Sequence, residues 1–76
     1  MIREHDRVVL TAPIPDRGLE TGDVGAVVHI YPAAATFEVE FVTLGGATAA
    51  VVTVPASSIR LVSGTEIPHA REIALR

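Results

Sequence analysis

Cysteine, tryptophan and lysine are all absent from this 76-residue chain, and its aromatic side chains are one Tyr and two Phe. Without cysteine there is no disulfide framework, no thiolate nucleophile and no cysteine-ligated zinc. The bases are six arginines, Arg3, Arg7, Arg17, Arg60, Arg71 and Arg76, set against nine acids for a formal charge of -3. Phosphate contacts from Lys and Arg supply most non-specific affinity for nucleic acid, so this balance suits a polyanion poorly. Three aromatics, both Phe among the core candidates, cannot line the groove that takes proline-rich peptides. The longest apolar run, Ala49 to Val52 with its neighbours, is far too short to span a bilayer. The N-terminal Met1-Ile2-Arg3-Glu4-His5-Asp6-Arg7 alternates in charge and lacks the apolar stretch of a signal peptide. The expectation is a soluble, cytoplasmic protein with no membrane contact.

What is present is 49% hydrophobic and 20% charged residues, the balance of one globular domain. Valine dominates the apolar set, and β-branched residues favour strands. Five segments read as strands: Asp6 to Thr11, Val24 to Tyr31, Thr36 to Thr43, Thr48 to Val54 and a short Arg60 to Val62. Gly, Pro and small polar residues fill every gap.

The third segment carries the clearest pattern. Phe37, Val39 and Phe41 alternate with Glu38 and Glu40, which sends the first set inward and the glutamates outward. A two-residue turn at Gly45-Gly46 pairs Phe41 with Ala50, Val39 with Val52 and Phe37 with Val54. A connection at Pro32-Ala33-Ala34-Ala35 pairs Tyr31 with Thr36. It then places Ile30 opposite Phe37, Val28 opposite Val39, Ala26 opposite Phe41 and His29 opposite Glu38. A slip of one residue in the hairpin at Gly45-Gly46 would break its apolar match, so that register is specified.

A long loop from Ala12 to Asp23, a three-strand meander, one 3₁₀ turn at Pro55 to Ile59 and a short last strand together predict an all-β, five-stranded SH3-like barrel over residues 1–62. Its expected core is Val8, Leu10, Val28, Ile30, Phe37, Val39, Phe41, Val52, Val54, Ile59 and Leu61. Ile14 and Leu19 are expected to fold back over it. Residues 63–76 form an appendage, a tail or a short helix from Pro68 to Arg76 that needs Ile67, Ile73 or Leu75 to dock.

The succession Asp6-Arg7-Val8-Val9-Leu10-Thr11, Ile14-Pro15-Asp16-Arg17-Gly18-Leu19 and Gly22-Asp23-Val24-Gly25-Ala26-Val27-Val28-His29-Ile30-Tyr31, followed by Phe37-Glu38-Val39-Glu40-Phe41-Val42 and Val51-Val52-Thr53-Val54, resembles the small bacterial domain-of-unknown-function family 4926. The resemblance covers roughly Met1 to Val62. It implies an SH3-like barrel in a bacterial cytoplasm, with no established activity and with a small protein as paired partner. The chain departs from the family pattern at the hairpin, where Gly45-Gly46 stands in place of Asp-Gly. Gly22 to Val27 also resembles the KOW motif of ribosomal and transcription-factor barrels, without the basic residues that accompany it there.

No catalytic constellation assembles from the sequence. Gly18, Gly22 and Gly25 precede a strand rather than a helix and have no lysine, so they are turn glycines rather than a phosphate loop. His5, His29 and His69 share no ligand spacing, and His29 beside Glu38 reads as a surface pair. Glu38 and Glu40 share a solvated face, where nothing would raise one of them to act as an acid. Ser57 and Ser58 lie in a turn with no base nearby. The chain is therefore expected to be no enzyme and to need no metal, cofactor or small-molecule substrate.

One feature points to a partner. The register gathers Val42, Leu44, Ala47, Ala49 and Val51 on the outer face near the hairpin tip, and apolar strips of that kind mark binding surfaces. With Arg17 and Leu19 of the long loop they are the candidate contact residues. The expected function is a protein–protein interaction module, accessory or antitoxin-like, or one that self-associates. Nucleic-acid binding of the KOW type is the alternative. The competing reading of the strip is that Ile73 and Leu75 of the tail cover it.

Overall fold

The computed structural model describes residues 1–74. Five antiparallel strands form one sheet: β1 (Arg7–Leu10), β2 (Val24–Tyr31), β3 (Thr36–Val42), β4 (Thr48–Pro55) and β5 (Ile59–Leu61). Their order across the sheet is β4-β3-β2-β1-β5. The three connections outside the hairpin tip each carry one 3₁₀ turn, at Pro15–Arg17, Pro32–Ala34 and Ala56–Ser58. The all-β reading holds. The sheet is not closed into a barrel, however, because β4 pairs only with β3 and β5 only with β1. Two backbone and hydroxyl bonds from Thr11 to the Ser57 and Ser58 carbonyls tie the base of the long loop to the turn after β4, and a shallow groove separates the loop from β4 itself.

The β3–β4 ladder follows the alternation of Phe37, Val39 and Phe41. These residues pair with Val54, Val52 and Ala50, as the register demands. Nearer the tip the ladder shifts. Val42 pairs with Thr48, the Thr43 N–H donates to the Ala47 carbonyl and the Ala47 N–H donates back to the Thr43 hydroxyl, so the loop holds Leu44, Gly45 and Gly46 rather than two residues. Gly46 sits at φ 94°, where a side chain would be strained, and its N–H donates to the Thr43 carbonyl.

The β2–β3 ladder corrects the expected core. Ile30 pairs with Phe37 and His29 with Glu38, but a bulge between Val27 and His29 then shifts the register so that Val27, not Val28, faces Val39. A bulge inserts one residue and reverses the side-chain parity on either side of it. Val27 is consequently fully buried and Val28 is 40% exposed. Leu61, at the end of the edge strand, is also exposed rather than in the core. Ile30 and Phe37 pack against the core without being fully enclosed.

The parity shift also places Gly25 inward, where only glycine fits. A Cβ there would meet Val39 Cγ1 at 2.6 Å, the Glu40 carbonyl oxygen at 2.9 Å and Phe41 Cε1 at 2.9 Å. The missing side chain lets β2 cross β3 closely. The enclosed cluster is Val8, Leu10, Leu19, Val27, Val39, Phe41, Ala50, Val52, Val54 and Ile59. Each fully buried Val or Leu contributes about 1.5–3 kcal/mol. Ile14 and Leu19 bridge to each other across the long loop, and Leu19 is buried as expected.

The tail forms neither helix nor strand over residues 67–74. Arg71 replaces helix formation with long-range partners: its guanidinium donates to both Asp23 carboxylate oxygens and, at 2.9 Å, to the Gly18 carbonyl. Ile73 packs against the core next to Gly18, whereas Ile67 is 89% exposed. Leu75, the other candidate docking residue, lies outside the described residues.

Candidate functional site

A broad groove runs along the outer face of the sheet, between the hairpin tip and the tail. Alternation sends Val9 of β1, Val24 and Ala26 of β2 and Val42 of β3 to this face, and all four line the groove. Leu44 stands at one side and Val62, Ile67 and Pro68 at the other. Val24, Val42, Leu44, Val62 and Ile67 are all exposed, Leu44 and Ile67 almost completely. Val9 is nearly buried yet stands apart from the core cluster, as expected of a residue on the opposite face of the sheet.

Two ionic clasps fix the tail that forms the far wall. The first joins Arg60 to Glu66 through paired hydrogen bonds of 3.0 and 2.8 Å, and the Ser63 N–H adds a bond of 2.7 Å to the same carboxylate. The Arg60 hydrogen bond and then the Ser63 N–H hold the Glu66 carboxyl down at about 2. The second is Arg71 on Asp23, with Glu20 at 3.6 Å as an outer partner. Burial pushes the Asp23 carboxyl up, but the Arg71 hydrogen bond, the Glu20 N–H and the Arg71 charge outweigh burial and leave it below its ordinary value. Asp23 also accepts from the Glu20 N–H at 2.8 Å, so one carboxylate closes the loop turn and receives the tail.

Apart from the exposed Val51, the rest of the outer face is polar. Glu38 accepts from the Tyr31 hydroxyl at 3.0 Å and from Thr53 at 2.9 Å, and Glu40 accepts from Thr48 at 2.7 Å. The Glu38 carboxylate raises the Tyr31 phenol above its usual value. His29 is Glu38's ladder neighbour, yet its closest acidic contact is Glu4 at 3.9 Å, and its ring meets Tyr31 edge-on. Among the described residues no three metal-ligating side chains gather. No helix there is long and apolar enough to cross a membrane. Ser57 and Ser58 make no side-chain cap of their turn; their carbonyls accept from Thr11 instead.

The candidate contact residues separate into groups. Val42, Leu44 and Ala49 share the outer-face groove. Val51 and Arg17 line the shallower groove between β4 and the long loop. Ala47 is exposed at the tip and lines neither. Leu19 also borders the outer-face groove, but at 2% exposure its side chain belongs chiefly to the core. Val24, Val62 and Ile67 were not legible as groove residues. The parity of Val24 depends on the bulge, and Val62 and Ile67 reach the groove only because the tail is clasped.

Comparison with the curated proteins and with the solved structures finds no match. The family profile described as Domain of unknown function (DUF4926) matches residues 4–61, from the turn before β1 to the end of β5. With its sheet, long loop and final strand all inside that match, the chain belongs to the DUF4926 family.

Proposed function

We propose that this domain is a non-catalytic protein-interaction module that takes an apolar segment of a protein partner into its outer-face groove. The observation that carries the reading is the convergence of Val24, Val42, Leu44, Val62 and Ile67, all exposed, on one groove. Isolated exposed apolar residues are ordinary on any surface, but a contiguous set rimmed by charge favours docking. Arg7, Glu40 and Glu20 supply such a rim. The role suits an accessory or antitoxin-like subunit that holds a partner rather than transforming a substrate.

The KOW-type alternative has less support. Arg60 and Arg71 are committed to Glu66 and Asp23, which reduces the cations available to phosphate. A salt-dependent DNA or RNA titration is expected to give no binding at low salt.

The interaction reading is tested by capture from the native host with the intact chain and with Leu44→Asp and Val42→Asp. Both side chains are exposed, so both variants should keep the thermal midpoint of the parent. The expected result is a partner retained by the parent and lost, by tenfold or more, with either variant. Equal retention by all three chains would reject the groove.

A further inference from the structure

We infer that β4 is a self-pairing edge, through which two copies of this chain join antiparallel into one continuous sheet. The inference is independent of the groove reading, since it rests on backbone groups rather than on the apolar side chains of the outer face.

The ladder identifies which backbone groups of β4 are free. Pro55 pairs with Thr36 and has no N–H, while the next residue, Ala56, donates to the Ala35 carbonyl at 3.0 Å. Hydrogen-bonded and non-bonded pairs alternate in an antiparallel ladder. Phe37/Val54 and Val39/Val52 are therefore the bonded pairs, and Glu38/Thr53 and Glu40/Val51 are not. The N–H and C=O of Val51 and Thr53 consequently point away from β3, and among the described residues no strand pairs with β4 on that side, the long loop standing off across the shallow groove.

Natural edges are usually blunted by charge, by proline or by brevity. β4 is eight residues long, carries no charged side chain and has its one proline at the last position. The opposite edge, β5, has three residues and carries Arg60.

The sequence of β4 is also complementary to itself. A two-fold axis through Val51 sets Val51 against its counterpart, Ala49 against Thr53 and Ala50 against Val52. Apolar thus meets apolar at the centre, and no like charges oppose. An uncharged strand that matches itself residue for residue about Val51 argues for a second copy as the occupant.

The interface is small beside the ~1,600 Å² of a standard one, so the monomer and dimer should exchange with concentration. The test is sedimentation equilibrium from roughly 10 μM to 1 mM, with amide exchange read at both ends of the range. The parent chain is expected to move toward twice the monomer mass, with the Val51 and Thr53 amides gaining protection. Val51→Pro removes only an outward N–H and should remain monomeric with unchanged circular dichroism. Should that variant fail to fold, Val51→Lys puts two cations on the axis and should weaken the dimer at least tenfold. A parent chain that stays monomeric at 1 mM overturns the inference, and so does a folded Val51→Pro or Val51→Lys chain that dimerises like the parent.

Discussion

Valines on the two faces of this sheet meet opposite fates, with Val9, on the outer face yet only 7% exposed, as the exception. Val8, Val27, Val39, Val52 and Val54 lie on the inner face and are almost completely enclosed. Val24, Val42, Val51 and Val62 lie on the outer face and keep 36% to 48% of their surface in water. The residue type is the same and the strands are the same, so hydrophobicity alone does not decide burial. Parity along each strand decides it, together with what lies above the face. The long loop delivers Leu19 to the inner side. The clasped tail borders the outer side without filling it, leaving Ile67 in solvent.

The sharpest way to break this contrast is at the bulge, where its two sides are consecutive residues. Val27→Asp buries an unpaired carboxylate in the core. The cost of several kcal/mol exceeds what a domain of this size can absorb, so the chain should be unfolded at neutral pH by circular dichroism. Val28→Asp adds the same group one position away, at an exposed site, and should change stability by no more than about 0.5 kcal/mol. Equal effects of the two would remove the bulge and the parity argument with it.

A smaller effect separates the core from the tail. Glu66 is held at about 2 and Asp23 below its ordinary value, so both carboxylates bind protons less readily in the folded chain. A depressed carboxylate contributes stability that is complete above its unfolded value and is lost as pH falls through its folded one. The clasps should therefore be intact above about pH 4.5 and open progressively toward pH 2. Followed by NMR, resonances of Ile67 to Ile73 should shift over that interval before those of β2 and β3 do. Simultaneous loss of both would show that the tail is not a separately held element.

Much of this fold can be read from residue order. The alternation of Phe37 to Phe41 against Ala50, Val52 and Val54 sets the β3–β4 register unaided. The bulge was hidden because Val27 and Val28 are the same residue, so sliding the register by one leaves the pattern unchanged. Gly45 and Gly46 concealed the loop length for the same reason. The irregular path of the tail was masked by a proline and spacing that suit a helix; the partners that overrule it, Asp23 and the Gly18 carbonyl, lie some fifty positions earlier. Barrel closure is likewise non-local, since it depends on whether β4 meets another strand, and none of its own residues encodes that. Val42, Leu44 and Ala49 were legible as contact candidates because β3 and β4 alone place them.

The central claim is that the outer-face groove, and not the sheet surface in general, meets a partner. A photoreactive side chain placed at Val42 or at Ile67 in the native host tests it most directly, with Val28, comparably exposed to Val42 but outside the groove, as the reference position. The account predicts one discrete covalent adduct shared by Val42 and Ile67 and absent from Val28. Adducts that form equally at all three positions, or only at Val28, would contradict it.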